Sequence, residues 1–395
     1  MTGYINTREA SALWGIGERQ VANLCKNGDI PGAVKQGRSW MIPSDAQKPT
    51  DKRIKTGAYI QPAKPAALPL PIGISDYRLA SSSYFYIDKT LMIKDFLDER
   101  PMVSLFTRPR RFGKTLNMDM LRVFFEKSDE DTSVYFRNKK IWACGKYYRD
   151  FQGKYPVIYV TFKDVKCDSW EDTYDLLYQI LRNEVQRHHE LLTSDRITPY
   201  DKKYLEDILE SRASESDMSM VFLNLSRMLH AHYEIAPIII IDEYDTPIQQ
   251  GHTLGYYDKV IGFMRNLFSG GLKDNPHLSF GFLTGILRVA KESIFSGLNN
   301  ITINSILDNK YSAYFGFTPD EVKEMASYYG VPEKYDEICQ WYDGYRFGKS
   351  EIFNPWSVIN YFNSGCEPKA FWLSTGSNEI IGEIIAQADQ DIYKK

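Results

Sequence analysis

The chain has 395 residues, 43% of them apolar and 25% charged, a globular composition that excludes a disordered tail, a collagen-like fibre or a coiled-coil rod. Its length exceeds what one hydrophobic core organises, so two or three domains are expected. The net charge of −3 is unevenly spread: nine Lys and Arg against five acids in residues 1–56 make a basic head of +4 on an acidic body of −7, which suits an N-terminus that meets nucleic acid.

In chain order, residues 1–46 come first, and residues 4–46 predict a compact winged helix-turn-helix. Thr7 is expected to cap a helix over 8–14, Gly15-Ile16-Gly17 to turn, and Gly28 to close a second helix over 18–27. Val21, Leu24 and Cys25 share the inward face of that helix. Arg19, Gln20, Asn23 and Lys26 then face outward, with side chains suited to phosphates and base edges in a major groove. A hairpin over 33–42 turns at Gln36-Gly37, with Lys35 and Arg38 flanking its tip to meet the DNA backbone or minor groove. The run from Gly32-Ala33-Val34-Lys35 to Trp40-Met41-Ile42-Pro43 resembles excisionase/MerR-like helix-turn-helix modules. The resemblance implies duplex DNA as a partner, a protein-interaction module being the alternative. One small module binds weakly, so useful affinity calls for a homo-oligomer. Residues 47–71, dense in proline, read as a semi-rigid linker.

Residues 72–314 alternate strand-like apolar runs (102–106, 156–162, 238–241 and 278–283) with amphipathic stretches at 173–192 and 218–232. That pattern predicts an α/β domain with a mainly parallel sheet. After the first run comes Thr107-Arg108-Pro109-Arg110-Arg111-Phe112-Gly113-Lys114-Thr115, then a helical run over 116–125. A strand, a tight loop and a helix opening at Gly-Lys-Thr is the Walker A arrangement, in which helix N-terminal amides cradle phosphate oxygens. Lys114 is expected to reach the β- and γ-phosphates and Thr115 to ligate Mg²⁺. Arg108 replaces the usual first glycine, and Arg108, Arg110 and Arg111 add positive charge for a polyphosphate beside Phe112 and Gly113. Alone, the motif also fits a chance Gly-Lys-Thr at a strand–helix turn.

Ile238-Ile239-Ile240-Ile241-Asp242-Glu243 then reads as Walker B, with Asp242 on the Mg²⁺ hydration shell and Glu243 polarising the attacking water. A third strand ends at Thr284, placed as a polar sensor of the γ-phosphate. Arg288 follows, as a phosphate sensor, a group acting in trans, or a surface ion-pair partner. Residues 72–100, rich in aromatics, either cover the base or pack on the core. Residues 315–395 read as a helical lid, opening with Thr318-Pro319-Asp320-Glu321 as a capped helix start. Pro319–Lys323 spells a PD-(D/E)XK nuclease motif only superficially, since contiguous residues opening a helix cannot converge on a metal from two strands.

The loop from Arg108 to Leu116 resembles the predicted AAA-ATPase-like family. So do Asp242-Glu243-Tyr244-Asp245-Thr246-Pro247, the stretch over 284–300, and Trp341-Tyr342-Asp343-Gly344-Tyr345-Arg346-Phe347-Gly348. The likeness spans roughly residues 68–380, and Arg108 is the family's norm. It implies an additional-strand (ASCE/AAA-like) P-loop NTPase fold, ATP and Mg as cofactors, and hydrolysis of ATP to ADP and phosphate. It also implies a nuclease-like domain usually fused after the ATPase, for which no room is expected before Lys395. The readings are therefore an ATPase or slow ATP switch coupled to DNA, a DNA-binding regulator with a structural nucleotide site, or a regulator of a separate nuclease chain.

No apolar run approaches the ~20 residues of a membrane helix, and no basic start leads an apolar run at the N-terminus. Cys25, Cys144, Cys167, Cys339 and Cys366 are scattered without metal-ligand spacing, and His188 and His189 are expected at the surface. Reduced thiols, no zinc and a cytoplasmic location follow.

Overall fold

The computed structural model describes residues 3–37, 39–49, 67–286 and 300–371, in two compact units, Met1–Ala66 and Ala67–Lys395. In the first unit, strand β1 (Tyr4–Asn6) leads into helices Thr7–Trp14 and Glu18–Lys26, and the hairpin of β2 (Val34–Gln36) and β3 (Ser39–Pro43) follows. The antiparallel sheet has order β1–β3–β2. The first helix is capped by Asn6 rather than Thr7. The Asn6 side chain accepts from the amides of Arg8 and Glu9, and Glu9 accepts from the Asn6 amide. Gly28 and Gly37 both stand at positive φ, at +74° and +63°, where a side chain costs about 1 kcal/mol. Ala10, Trp14, Val21, Cys25, Ile30 and Ile42 form the core, so Arg19, Gln20, Asn23 and Lys26 are left exposed on the second helix.

The second unit is built on a five-stranded parallel sheet of order β5–β6–β7–β4–β8. The strands are β4 (Val103–Thr107), β5 (Val157–Thr161), β6 (Ile238–Asp242), β7 (Phe280–Gly285) and β8 (Ile301–Asn304). Side chains alternate across a strand, and β6 shows the consequence. Ile239 and Ile241 enter a core with helices Trp170–Arg187, Val221–Tyr233 and Tyr257–Leu272. Ile238 and Ile240 enter another with helices Leu91–Glu99 and Lys114–Phe125. Both faces are covered, which is why the strand is apolar throughout. The register pairs Thr107 with Gly285 and Thr161 with Asp242, so the polar strand ends share one edge of the sheet, where open α/β sheets bind ligands.

A third core holds helices Pro319–Tyr328, Tyr335–Tyr342 and Pro355–Asn363. This part is not purely helical as expected: β9 (Tyr345–Phe347) and β10 (Ser350–Ile352) form an antiparallel hairpin. Leu70, Ile72, Phe85 and Ile87 pack into the same core, so the segment before the P-loop helps build this C-terminal body. The Pro319 helix start holds as expected, with the side chain of Thr318 and the carboxylate of Glu321 forming a capping box.

Candidate nucleotide-binding site

The loop between β4 and the Lys114 helix turns through two left-handed residues, Arg111 at φ +68° and Gly113 at φ +80°. Gly113 is the helix N-cap, and its conformation accounts for the glycine. The turn lays Lys114 along the loop, where Nζ donates to the Pro109 carbonyl at 3.1 Å and lies 3.8 Å from Glu243 Oε1. Lys114 is almost fully buried, and burial holds its ammonium below the usual lysine range against the pull of Glu243 and Asp242. At this separation a pair gains about 4 kcal/mol at an effective dielectric of 20, comparable to the several kcal/mol of desolvation per ion. The ammonium is thus only marginally satisfied, and a polyphosphate would bind it more strongly.

Asp242 gathers the rest of the site. Its Oδ2 accepts from Thr115 Oγ1 at 2.7 Å, and its Oδ1 accepts from Thr284 Oγ1. Thr284 Oγ1 in turn accepts from the Glu243 amide at 3.3 Å. Asp242 has no exposed surface, and burial raises its carboxyl above the usual range, more than the two hydroxyls lower it. Glu243 adopts φ +51°, a conformation that strains a non-glycine residue by about 1–2 kcal/mol, and accepts from Thr246 Oγ1 at 3.2 Å. The structure therefore brings Lys114, Thr115, Asp242, Glu243 and Thr284 together. A hydroxyl beside a carboxylate is a hard-oxygen donor set that fits Mg²⁺.

Other expected residues lie differently. Arg108 is fully buried: its Nη1 donates to the carbonyls of Thr107 and Asn304, and its guanidinium lies 5.0 Å from the Phe315 ring centroid and 5.3 Å from that of Phe347. Phe112 is buried against Tyr345 and Phe347, so the hairpin anchors the loop from behind. Arg110 is half-buried at the loop. Arg38 and Arg288 lie outside the described residues, and Lys35 is exposed on β2.

Beside the loop opens a cavity of about 320 Å³. Arg111, Gly113, Lys114, Thr115 and Glu243 contribute polar groups to its lining, and Ile72, Ile74, Phe85, Phe317, Trp356 and Ile359 contribute apolar surface. Phe85 belongs to the aromatic-rich stretch expected to cover the base or pack on the core, whereas no motif marks Trp356, Phe317 or Ile359, which only tertiary packing brings near. No role was expected for Asp245, which is buried and accepts from the Ile286 amide at 2.8 Å and from Gln249, holding the end of β7.

The five-stranded parallel sheet, with the loop, two carboxylates and the Thr284 hydroxyl converging at its strand ends, is consistent with a P-loop NTPase-like fold. The chain belongs to the predicted AAA-ATPase family, whose model matches residues 71–295. It is also similar to a protein of Azotobacter chroococcum mcd 1 described as an uncharacterized protein in the vnfD 5′ region, with 28% identity over 324 residues. That match covers 80% of this chain and 56% of the relative, so the chain spans little more than half the relative's length. No solved structure matches the chain.

Proposed function

We propose that the chain is a Mg²⁺-dependent ATPase, acting as a slow ATP switch coupled to duplex DNA through residues 1–46. The observation that carries the nucleotide reading is the Thr115–Asp242–Thr284 hydrogen-bond chain beside Lys114 and Glu243, next to a cavity whose lining is largely apolar. The position of β7 between β4 and β6 supports the additional-strand class. In this reading the loop amides and Lys114 bind the β- and γ-phosphates, and Thr115 and Asp242 hold Mg²⁺, which when bound neutralises phosphate charge. Glu243 orients the attacking water, and Thr284 keeps both carboxylate-bearing residues in place. The apolar lining takes the nucleoside, and the body carrying Phe317 and Ile359 acts as a lid. For the DNA, the support is the exposed set Arg19, Gln20, Asn23, Lys26 and Lys35 on a basic unit.

Calorimetric titration of Mg·ATP tests the reading. Lys114→Ala is expected to lose binding, and Glu243→Gln to bind ATP without turning it over; full ATP affinity in Lys114→Ala would sink the assignment. Duplex affinity measured with and without ATP tests the coupling, because a switch obeys reciprocal linkage. An ATP-insensitive affinity would assign the nucleotide a structural role.

A further inference from the structure

Arg111 differs from the other cations around the cavity. Lys89 and Lys114, which also line it, both have oxygen acceptors, and three residues earlier Arg108 Nη1 has two, although its Nε is buried without one. Arg111 Nη1 is buried with no hydrogen-bond partner among the described residues. A buried donor left unmade is costly, and this one belongs to a residue at φ +68° that lines the cavity. What holds the guanidinium is the ring of Trp356, whose centroid lies 4.1 Å from Arg111 Cζ. Its backbone is held in turn: Trp356 stands in the first turn of the Pro355–Asn363 helix, and its amide donates to the Asn354 cap at 2.9 Å. Asn354 is buried, as are Val358 and Tyr361 further along the helix. A rigid element more than 200 residues from the loop thus delivers one aromatic face to one cation.

Trp356 has two conceivable duties in the cavity, stacking on a base or holding Arg111. One face of the ring is taken by Arg111, and Arg111 Nη1 has no anionic or carbonyl acceptor among the described residues. We infer that Trp356 is a positioning residue, whose ring holds the Arg111 guanidinium ready for the phosphates of a nucleoside triphosphate. The inference rests on the nucleotide reading above and adds a residue that sequence motifs do not mark.

The experiment titrates the full chain with Mg·tripolyphosphate, Mg·ATP and adenosine. In Trp356→Ala, tripolyphosphate and ATP are expected to weaken by the same factor, about tenfold for a partly desolvated cation–π contact, while adenosine is unchanged. Trp356→Phe, which keeps a π face, is expected to restore most of the affinity. In an Arg111→Gln background, Trp356→Ala is expected to cost nothing further, since the ring acts through the cation. A loss of ATP and adenosine affinity with tripolyphosphate unchanged would overturn the inference and place the ring on the base, and so would an undiminished loss in the Arg111→Gln background. If the wild type binds both triphosphates and Trp356→Ala binds them equally well, this inference alone falls. If the wild type binds neither, the nucleotide reading falls and takes it down as well.

Discussion

Arg108 sits where a glycine normally opens a phosphate-binding loop, and its placement explains how the loop works without that glycine. The backbone amide donates to the Gly285 carbonyl at 3.0 Å, while the side chain turns back to the carbonyls of Asn304 and Tyr311. Burial pushes its pKa down to about 10, so the guanidinium stays charged at neutral pH and acts as a pin between the loop, the end of β8 and the aromatic hairpin. Arg108→Gln should therefore cost stability first, about 1–3 kcal/mol by urea unfolding, the range for stranding a buried carbonyl acceptor. Arg108→Lys should recover only part of it, lacking the fork. A phosphate ligand would behave oppositely, with unfolding unchanged and ATP affinity lost. The sequence locates this loop but not the direction of its three arginines, because the acceptors that select Arg108 lie about 200 residues further on.

Whole elements were legible where their pattern is local. The four apolar runs became β4 to β7, and the Thr318–Glu321 capping signal became a real helix start. β8 and the β9–β10 hairpin were missed because each has only three or four residues and gains its stability from neighbours. Contacts between elements were less legible still. Lys89, just before the Leu91–Glu99 helix, donates to both carboxylate oxygens of Glu321 at 2.6 Å and to the Ala313 carbonyl at 2.8 Å. The side chains are 7% and 16% exposed, so this ion pair fastens the segment before the P-loop to the C-terminal body across the cavity wall. Removing one partner of a buried pair leaves an uncompensated charge, and Glu321→Gln should lose about 3–5 kcal/mol. Lys89→Met combined with Glu321→Gln should regain most of that, short of about 1 kcal/mol for the weakened Thr318 capping box. Equal unfolding midpoints for the single and double variants would show that the pair carries no such load.

At the scale of the whole ATPase-like unit, one charged network ties the sheet edge to the helices on both sides, and it corrects the expectation that His188 is a surface residue. His188 is 5% exposed. Its Nε2 faces the Val157 carbonyl on β5 at 3.2 Å and Glu184 at 3.3 Å, and its Nδ1 faces Glu190 at 3.4 Å. Arg187 bridges Glu184 and Glu126, the latter just beyond the P-loop helix, and Tyr233 from a further helix donates to Glu190 at 3.0 Å. The reading failed because a charged stretch looks solvated until carboxylates from other elements are seen to face it. Burial alone would lower the His188 pKa, but the hydrogen bonds and charges of Glu184 and Glu190 outweigh it and raise it above 6.5. Glu190 is opposed by burial yet held down at about 2 by His188 and Tyr233. A raised histidine stabilises fully below its unfolded value of 6.5 and loses that contribution as pH climbs through the folded value. A depressed carboxylate stabilises above 4.5 and loses its contribution as pH falls towards 2. The network therefore holds the unit best between those limits. Thermal melting should fall in wild type as pH rises above 6.5, and His188→Gln should flatten that slope while lowering the midpoint at pH 6. Parallel slopes in the two proteins would show that His188 does not carry a linked proton in the fold.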